Sequence, residues 1–307
     1  MPKFSIIVPT YNRAHLITYS INSLLAQTYH NVEIIVIDDG STDKTKDILK
    51  PYMDRIKYCY QNNEGISSAR NHGIKEATGE YIAFTDDDVI AEPDWLANID
   101  KCFSENRCDA VGGMVLPIYN KNTPSWIKKD PIKISGGVVM YDYGKETFRL
   151  DPSMHCFIGC NFAFHREVFN ECGNFRTDIR FKGRLALGED TEFIQRLINK
   201  GKVLYYCGRA LIHHPVDNHR LTLRHCARWN KALGQFTARN EHDNHKNHYV
   251  YCYGVPRYLF KGIIIDFFKI IISFYDRLSL HLAFRSFFRK MGMIAEYRLI
   301  YKERKLK

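Results

Sequence analysis

The chain has 307 residues, 45% of them hydrophobic and 25% charged, which excludes a disordered or low-complexity protein and leaves room for one large domain or one domain with an appendage. Its formal net charge of +10 is concentrated in residues 256–307, which hold twelve Lys or Arg against four Asp or Glu. The body lacks the interleaved Lys, Arg and aromatic side chains of a nucleic-acid binder.

From the amino end, Phe4-Ser5-Ile6-Ile7-Val8 is too short for a secretory signal and begins a strand, so a cytosolic chain is expected. Nine scattered cysteines, odd in number and without a Cys-x-x-Cys pair, read as reduced thiols. The patterning predicts strands over 4–8, 32–37, 56–61 and 81–85, alternating with helices over 14–27, 42–53 and 66–77. Such alternation implies right-handed crossovers and a mainly parallel, Rossmann-like sheet flanked by helices, an α/β class. Its strands are near-continuous apolar runs, as burial on both faces requires. Ligands of such sheets bind at the carboxyl ends of the strands. Four polar loops fall there: Pro9-Thr10-Tyr11-Asn12-Arg13, Asp38-Asp39-Gly40-Ser41, Asn62-Asn63-Glu64-Gly65 and Thr85-Asp86-Asp87-Asp88. Residues 120–152 read as loops and a hairpin, a mixed region follows to about 215, and helices run to the end.

Three adjacent carboxylates at Asp86, Asp87 and Asp88 repel one another and raise each other's pKa. A solvated acidic turn is the plain alternative, but hard oxygen donors at a strand end suit Mg²⁺ or Mn²⁺ beside substrate phosphates. In Asp38-Asp39-Gly40-Ser41-Thr42-Asp43, capping of the next helix needs one polar residue and not three acids, and Asp39 suits a hydrogen bond from a nucleobase or ribose. Arg70, at the start of another helix, reads as a fork donor to phosphate or base.

Taken in register, Val8-Pro9-Thr10-Tyr11-Asn12-Arg13, Asp38 to Asp43, Asn63-Glu64-Gly65 with Ala69-Arg70-Asn71 and Gly73, and Gly79-Glu80-Tyr81 leading to Asp86-Asp87-Asp88 resemble the family 2 glycosyltransferases of the GT-A fold. The resemblance covers roughly residues 3–240. It implies a catalytic domain over 1–240, with a nucleotide-binding part over 1–115 and an acceptor part over 116–240, and leaves 241–307 as a basic amphipathic helical tail. It further implies that Pro9, Thr10, Tyr11, Arg13, Asp39, Asn63 and Arg70 hold the nucleotide. Asp86 and Asp88 match its Asp-x-Asp motif, with Asp88 as metal ligand and Asp86 or Asp87 near the ribose; three adjacent acids leave that division open. In the family the Asp of a Glu-Asp pair is the general base, and Asp190 in Gly188-Glu189-Asp190-Thr191 matches it, beside Glu189. Favourable charge against a helix dipole is the plain reading of that pair, worth about 0.3–1 kcal/mol. Base-assisted attack opposite the departing diphosphate implies inversion of the anomeric centre.

Gly159-Cys160-Asn161 and Gly173-Asn174-Phe175 match the family's middle segment, and Cys160 reads as packing. Of His213 and His214 at a strand end, His214 fits the family's metal-side histidine better. His242, His245 and His248 read as a solvated face, since no clear ligand motif accompanies them. In the tail, Lys261, Asp266, Lys269, Ser273 and Asp276 share one side of a helix whose other sides are apolar. Asp266 and Lys269 interrupt a stretch shorter than the roughly 20 residues of a membrane span, which suits an interfacial helix on anionic lipid.

The expectation is a Mn²⁺- or Mg²⁺-dependent inverting transferase. It would move a sugar from a nucleotide diphosphate, a UDP-sugar, to a saccharide or lipid-linked acceptor in cell-surface polysaccharide synthesis, in the cytoplasm and peripheral on the inner membrane face. A nucleotidyltransferase would want a Gly- and Arg-rich amino-terminal loop, and a non-catalytic nucleotide-sugar-binding protein would lack the Glu189-Asp190 pair.

Overall fold

The computed structural model describes residues 4–134, 136–151, 154, 157–178, 187–243 and 249–305. The first apolar runs form β1 (Phe4–Thr10), β2 (Val32–Asp39), β3 (Lys57–Gln61) and β4 (Tyr81–Phe84), joined by α1 (Ile17–Leu25), α2 (Thr45–Leu49) and α3 (Ile66–Glu76). These four strands pair in parallel, in the order β3-β2-β1-β4. Phe4, Ile6, Ile7 and Val8 are wholly buried because helices cover both faces of the sheet.

Beyond β4 the alternation stops. β5 (Ile90–Ala91), α4 (Trp95–Glu105) and β6 (Ala110–Ile118) are followed by α5 (Ser125–Lys129), β7 (Thr147–Arg149), β8 (Phe162–His165), α6 (Glu167–Cys172), α7 (Glu189–Asn199) and β9 (Leu204–Pro215). The sheet continues β4-β8-β6-β9-β5, with β8 antiparallel to both neighbours and β9 parallel to β6. The hairpin expected within 120–152 is replaced by long-range pairing. Tyr141 bridges Val115, and Thr147–Arg149 pairs antiparallel with Tyr205, Tyr206 and Cys207 of β9. A short strand gains its hydrogen bonds from whichever edge tertiary packing offers, and here that edge is distant in sequence.

The β6–β9 ladder carries an irregularity. Gly113 pairs with Cys207 and Val115 with Ile212, so four residues of β9 oppose one of β6. Asn161 pins this spot: its side chain donates to the carbonyls of Met114 and Ala210, both at 2.8 Å, and accepts from the Trp95 indole, also at 2.8 Å. Beside it Phe84, Phe162, Phe164, Phe169, Phe175 and Phe193 pack in edge-to-face, tilted and stacked pairs, with neighbouring ring centroids 4.5–6.4 Å apart.

All nine of these strands lie in one compact unit, Met1–Ile118 with Met140–Asp178 and Glu189–Pro215. A second unit is built chiefly from Tyr119–Val139 and Val216–Lys307. It holds α8 (Leu223–Asp243), a ribbon of β10 (Tyr251–Cys252) and β11 (Val255–Pro256), α9 (Arg257–Ile272) and α10 (Arg277–Lys305). Helix α8 therefore groups with the tail helices. It crosses α10 closely at glycines, since a Cβ on Gly234 would lie 1.9 Å from the Arg289 carbonyl oxygen and one on Gly292 equally near that of Lys231. Glu296, wholly buried, accepts from Arg239 at 2.6 Å. The eight described cysteines are all free, and Cys156 lies outside the described residues. Among the described residues no helix is long and apolar enough to cross a membrane.

Candidate active site

The carboxyl ends of β1, β2 and β4 form one edge of the first unit, and their loops are laced together by side chains. Asn12 takes a left-handed backbone (φ 55°). Its Oδ1 accepts from the amides of Thr42 (2.8 Å) and Asp43 (3.2 Å), and its own amide donates to Ser41 Oγ at 2.9 Å. Asp38 accepts from the Ser41 amide and the Tyr58 hydroxyl. Asp39 accepts from Gln61 Nε2 and from the amides of Glu64 and Gly65 at 2.8–2.9 Å, while Asn63 donates to its carbonyl at 3.0 Å. Asp39, buried at 5% exposure, thus fastens the 62–65 loop to the end of β2. Pro9, Thr10 and the exposed Tyr11 close the same edge from β1.

The acidic run follows β4. Ser20 Oγ donates to the Asp86 carbonyl at 3.0 Å and holds its backbone. Arg13 supplies a counter-charge, 3.6 Å from Asp87 Oδ1 and 3.7 Å from Asp88 Oδ2. Asp87 points inward; burial first, and then the Asp88 charge, push its carboxyl up to about 7 against the pull of Arg13. Asp86 and Asp88 instead converge with His214 from the end of β9, with one ligand atom of each inside a 4.8 Å span. His214 Nδ1 lies 3.0 Å from the Pro215 carbonyl oxygen, which can only accept, so in the neutral ring that nitrogen carries the proton. The lone pair is then on Nε2, 3.4 Å from Asp88 Oδ1. Two lone-pair donors facing each other, with a second carboxylate alongside, fit a divalent cation between them. His213, on the opposite side of the strand, pairs with Glu92 at 2.8 Å.

Arg70 lies on the buried face of α3 with Ala69, Gly73 and Ile74, only 2% exposed. The sequence suggested a fork aimed at nucleotide; here the guanidinium donates to Glu189 Oε1 at 2.9 Å and to the Gly159 carbonyl at 3.1 Å, and stands 3.9 Å from Asp86 Oδ1. The rings of Phe162 and Phe175 flank it, with centroids 5.5 and 5.4 Å away. Glu189 and Asp190 open α7. Asp190 Oδ2 accepts from the Gly159 amide at 3.1 Å and Oδ1 from the Thr191 amide at 2.7 Å. Burial, with the adjacent Asp190 charge, pushes Glu189 up to about 7, and Arg70 opposes this. Gly159, matched in the sequence only as part of the middle segment, therefore joins the two groups: its carbonyl holds Arg70, its amide holds Asp190, and a Cβ there would lie 2.7 Å from Arg70 Nη2. Cys160 is buried, and burial drives its thiol far above the ordinary range, as packing requires. His242 sits on α8 beside Asp243, while His245 and His248 lie outside the described residues.

The arrangement can bind a cation-neutralised diphosphate near Asp86, Asp88 and His214 and take a proton at Asp190, both tied to one buried arginine. Three kinds of comparison relate the chain to known proteins. The chain is 29% identical over 227 residues to a glucosyl-dolichyl phosphate glucuronosyltransferase of Haloferax volcanii, covering 71% of each chain. It is 28% identical over 234 residues to the minor teichoic acid biosynthesis protein GgaB of Bacillus subtilis, covering 74% of this chain and 24% of that one. It spans 55% and 28% of the lengths of uncharacterised glycosyltransferases of Rickettsia typhi and Rickettsia conorii that it also matches. In fold it is similar to S. aureus TarS 1-349 solved in complex with UDP, with a TM-score of 0.54 at 20% identity over 99% of this chain and 91% of that one. The sequence model described as glycosyl transferase family 2 matches residues 5–173, more than half of the chain, and the protein belongs to that family, with its GT-A fold.

Proposed function

We propose that the protein transfers a sugar from a nucleotide diphosphate donor, a UDP-sugar, to a hydroxyl of a saccharide or lipid-linked acceptor, with inversion at the anomeric carbon. Asp190 Oδ2 accepts the hydroxyl proton as that oxygen bonds to the anomeric carbon and the bond to the diphosphate breaks. Pro9, Thr10, Tyr11, Asp39 and Asn63 line the nucleotide side, with Arg13 and Asp87 behind them. Asp86, Asp88 and His214 would hold Mn²⁺ or Mg²⁺, which when bound supplies positive charge against the leaving diphosphate. Arg70 and Glu189 act as positioning residues that fix Gly159, and through it Asp190, relative to Asp86. The observation that carries this reading is the convergence of two carboxylates and an imidazole at one strand edge, linked through Arg70 and Gly159 to a separate carboxylate on α7. The similarity to a glucosyl-dolichyl phosphate glucuronosyltransferase and to a teichoic acid biosynthesis protein supports cell-surface polymer assembly and a lipid-linked acceptor. A lipid-linked acceptor would place this work at a membrane, in the cytoplasm and peripheral on the inner face.

Two measurements test it. Release of UDP from a panel of UDP-sugars should require Mn²⁺ or Mg²⁺ and stop with EDTA; turnover unaffected by EDTA removes Asp86, Asp88 and His214 as a metal site. Asp190→Asn should still bind UDP but lose about 10²–10⁴-fold in transfer, the usual worth of a positioned base; transfer near the native rate removes Asp190 from that role.

A further inference from the structure

On the tail helix α9 one member of the polar stripe, Asp266, turns inward, while Lys261 and Lys269 stay exposed. Asp266, its one acid, is 3% exposed and accepts from Lys290 of α10, whose ammonium also donates to Ser286 Oγ. Leu259 and the partly buried Phe260 and Ile263 pack beside that pair, against Val255, Met293 and Tyr297. Outward stand Ile264, Phe267, Phe268, Ile271 and Ile272, between 52% and 75% exposed. The turn into α10 adds Phe274 and Tyr275, the latter 98% exposed. A continuous apolar surface of this kind, facing out while an ion pair faces in, marks an interaction site.

Its border is cationic. Arg257, Lys261, Lys269 and Arg277 are exposed around it, and Asp276, the one exposed acid within 257–277, is engaged in capping the Ser279 amide. A second copy of the chain would bring like charges together, whereas an anionic surface complements them. The sixteen residues of α9 span about 24 Å, short of a hydrocarbon core of about 30 Å. We propose that α9 and the 273–276 turn dock in the plane of an anionic lipid bilayer, with Phe267, Phe268, Ile271, Ile272, Phe274 and Tyr275 entering the acyl boundary and the four cations at headgroup level. The internal Asp266–Lys290 pair is what removes charge from the inserted face. This contact rests on the peripheral placement above and not on the transfer chemistry.

The test uses the full chain and sedimentation with phosphatidylglycerol-containing or pure phosphatidylcholine vesicles. Binding should be confined to the anionic vesicles, and the combined change Phe267→Ser, Phe268→Ser, Ile271→Ser should weaken it by at least about tenfold, as loss of buried apolar area requires. Lys261→Glu with Lys269→Glu should weaken it as well, while UDP release from a donor sugar continues in both variants and shows them folded. Phe268→Trp should shift its emission to the blue and be quenched by brominated lipid. The proposal is overturned if the native chain stays in the supernatant, if the triple variant binds as tightly as the native chain, if the Phe268→Trp emission is unmoved by vesicles, or if the native chain is a lipid-free dimer that the triple variant converts to monomer. Loss of UDP release with vesicle binding intact would instead count against the transferase reading alone.

Discussion

At Gly159 one residue holds two chemically distinct partners by its two backbone groups, a carboxylate at the amide and a guanidinium at the carbonyl. Gly159→Ala sets a Cβ 2.7 Å from Arg70 Nη2 and 3.1 Å from Asp190 Oδ2. A displacement near 1 Å at a reacting group costs about 10²-fold in rate, so transfer should fall by that order while UDP affinity, read by calorimetry, is retained. Arg70→Lys keeps the charge but loses the fork, and should lower kcat more than it raises KM. Glu189 gives a pH signature. Its carboxyl, ordinarily near 4.5, is held up to about 7 in the folded chain, so between those values the native state binds more protons than the unfolded one and stability declines as pH rises. Asp87, also held up to about 7, contributes a loss of the same sign, so denaturation at pH 5 and pH 8 should show a smaller loss on raising the pH in Glu189→Gln than in the native chain; equal losses in both proteins would place the titration outside Glu189. Arg70's burial was legible in principle, because Ile66, Ala69, Arg70, Gly73, Ile74 and Ala77 share one helical stripe. The polar loops that share the sheet edge with Arg70 pointed instead to a ligand contact.

At the level of elements, the amino-terminal strands were readable because each is an apolar run bounded by turn residues and separated by a helix. The expected helix over 42–53 shortens to Thr45–Leu49 with a 3-10 turn at Lys50–Tyr52, where Pro51 cannot donate to a continuing helix. β7 and β8 were not readable: their partners are fixed by sheet edges far away in the chain. Helix α9 escaped for another reason. With apolar residues on nearly every side, no periodic signal set its rotation, and only the Lys290 partner decides that Asp266 turns inward. The phenylalanine cluster behind Arg70 is the element-scale support of the site, formed from β4, β8, α6 and α7. Phe193→Ala should cost about 3–5 kcal/mol of stability by chemical denaturation, the range for a buried ring whose space stays open, and should weaken the Arg70 clamp by loosening Phe175, which lies 4.5 Å from Phe193 by ring centroids.

For the whole molecule, the division into two compact units means that ligand linkage reports on one of them. UDP at a hundredfold excess over its Kd stabilises the state that binds it by about 2.7 kcal/mol, so scanning fluorimetry with UDP and Mn²⁺ should raise the unfolding temperature of the unit holding β1 to β9. No shift with any nucleoside diphosphate would count against a nucleotide donor. The three surplus residues of β9 opposite β6 have a consequence of parity. Side chains of a strand alternate between faces, so an odd surplus works as a frameshift for everything downstream. It is this offset that turns His214 to Asp88 and sends His213 to Glu92. Removing one residue from 208–211 would exchange the two histidines, whereas removing two would restore His214 to its side. Among relatives, a length change of one in this bulge should therefore travel with a histidine moved by one place, and a change of two with none.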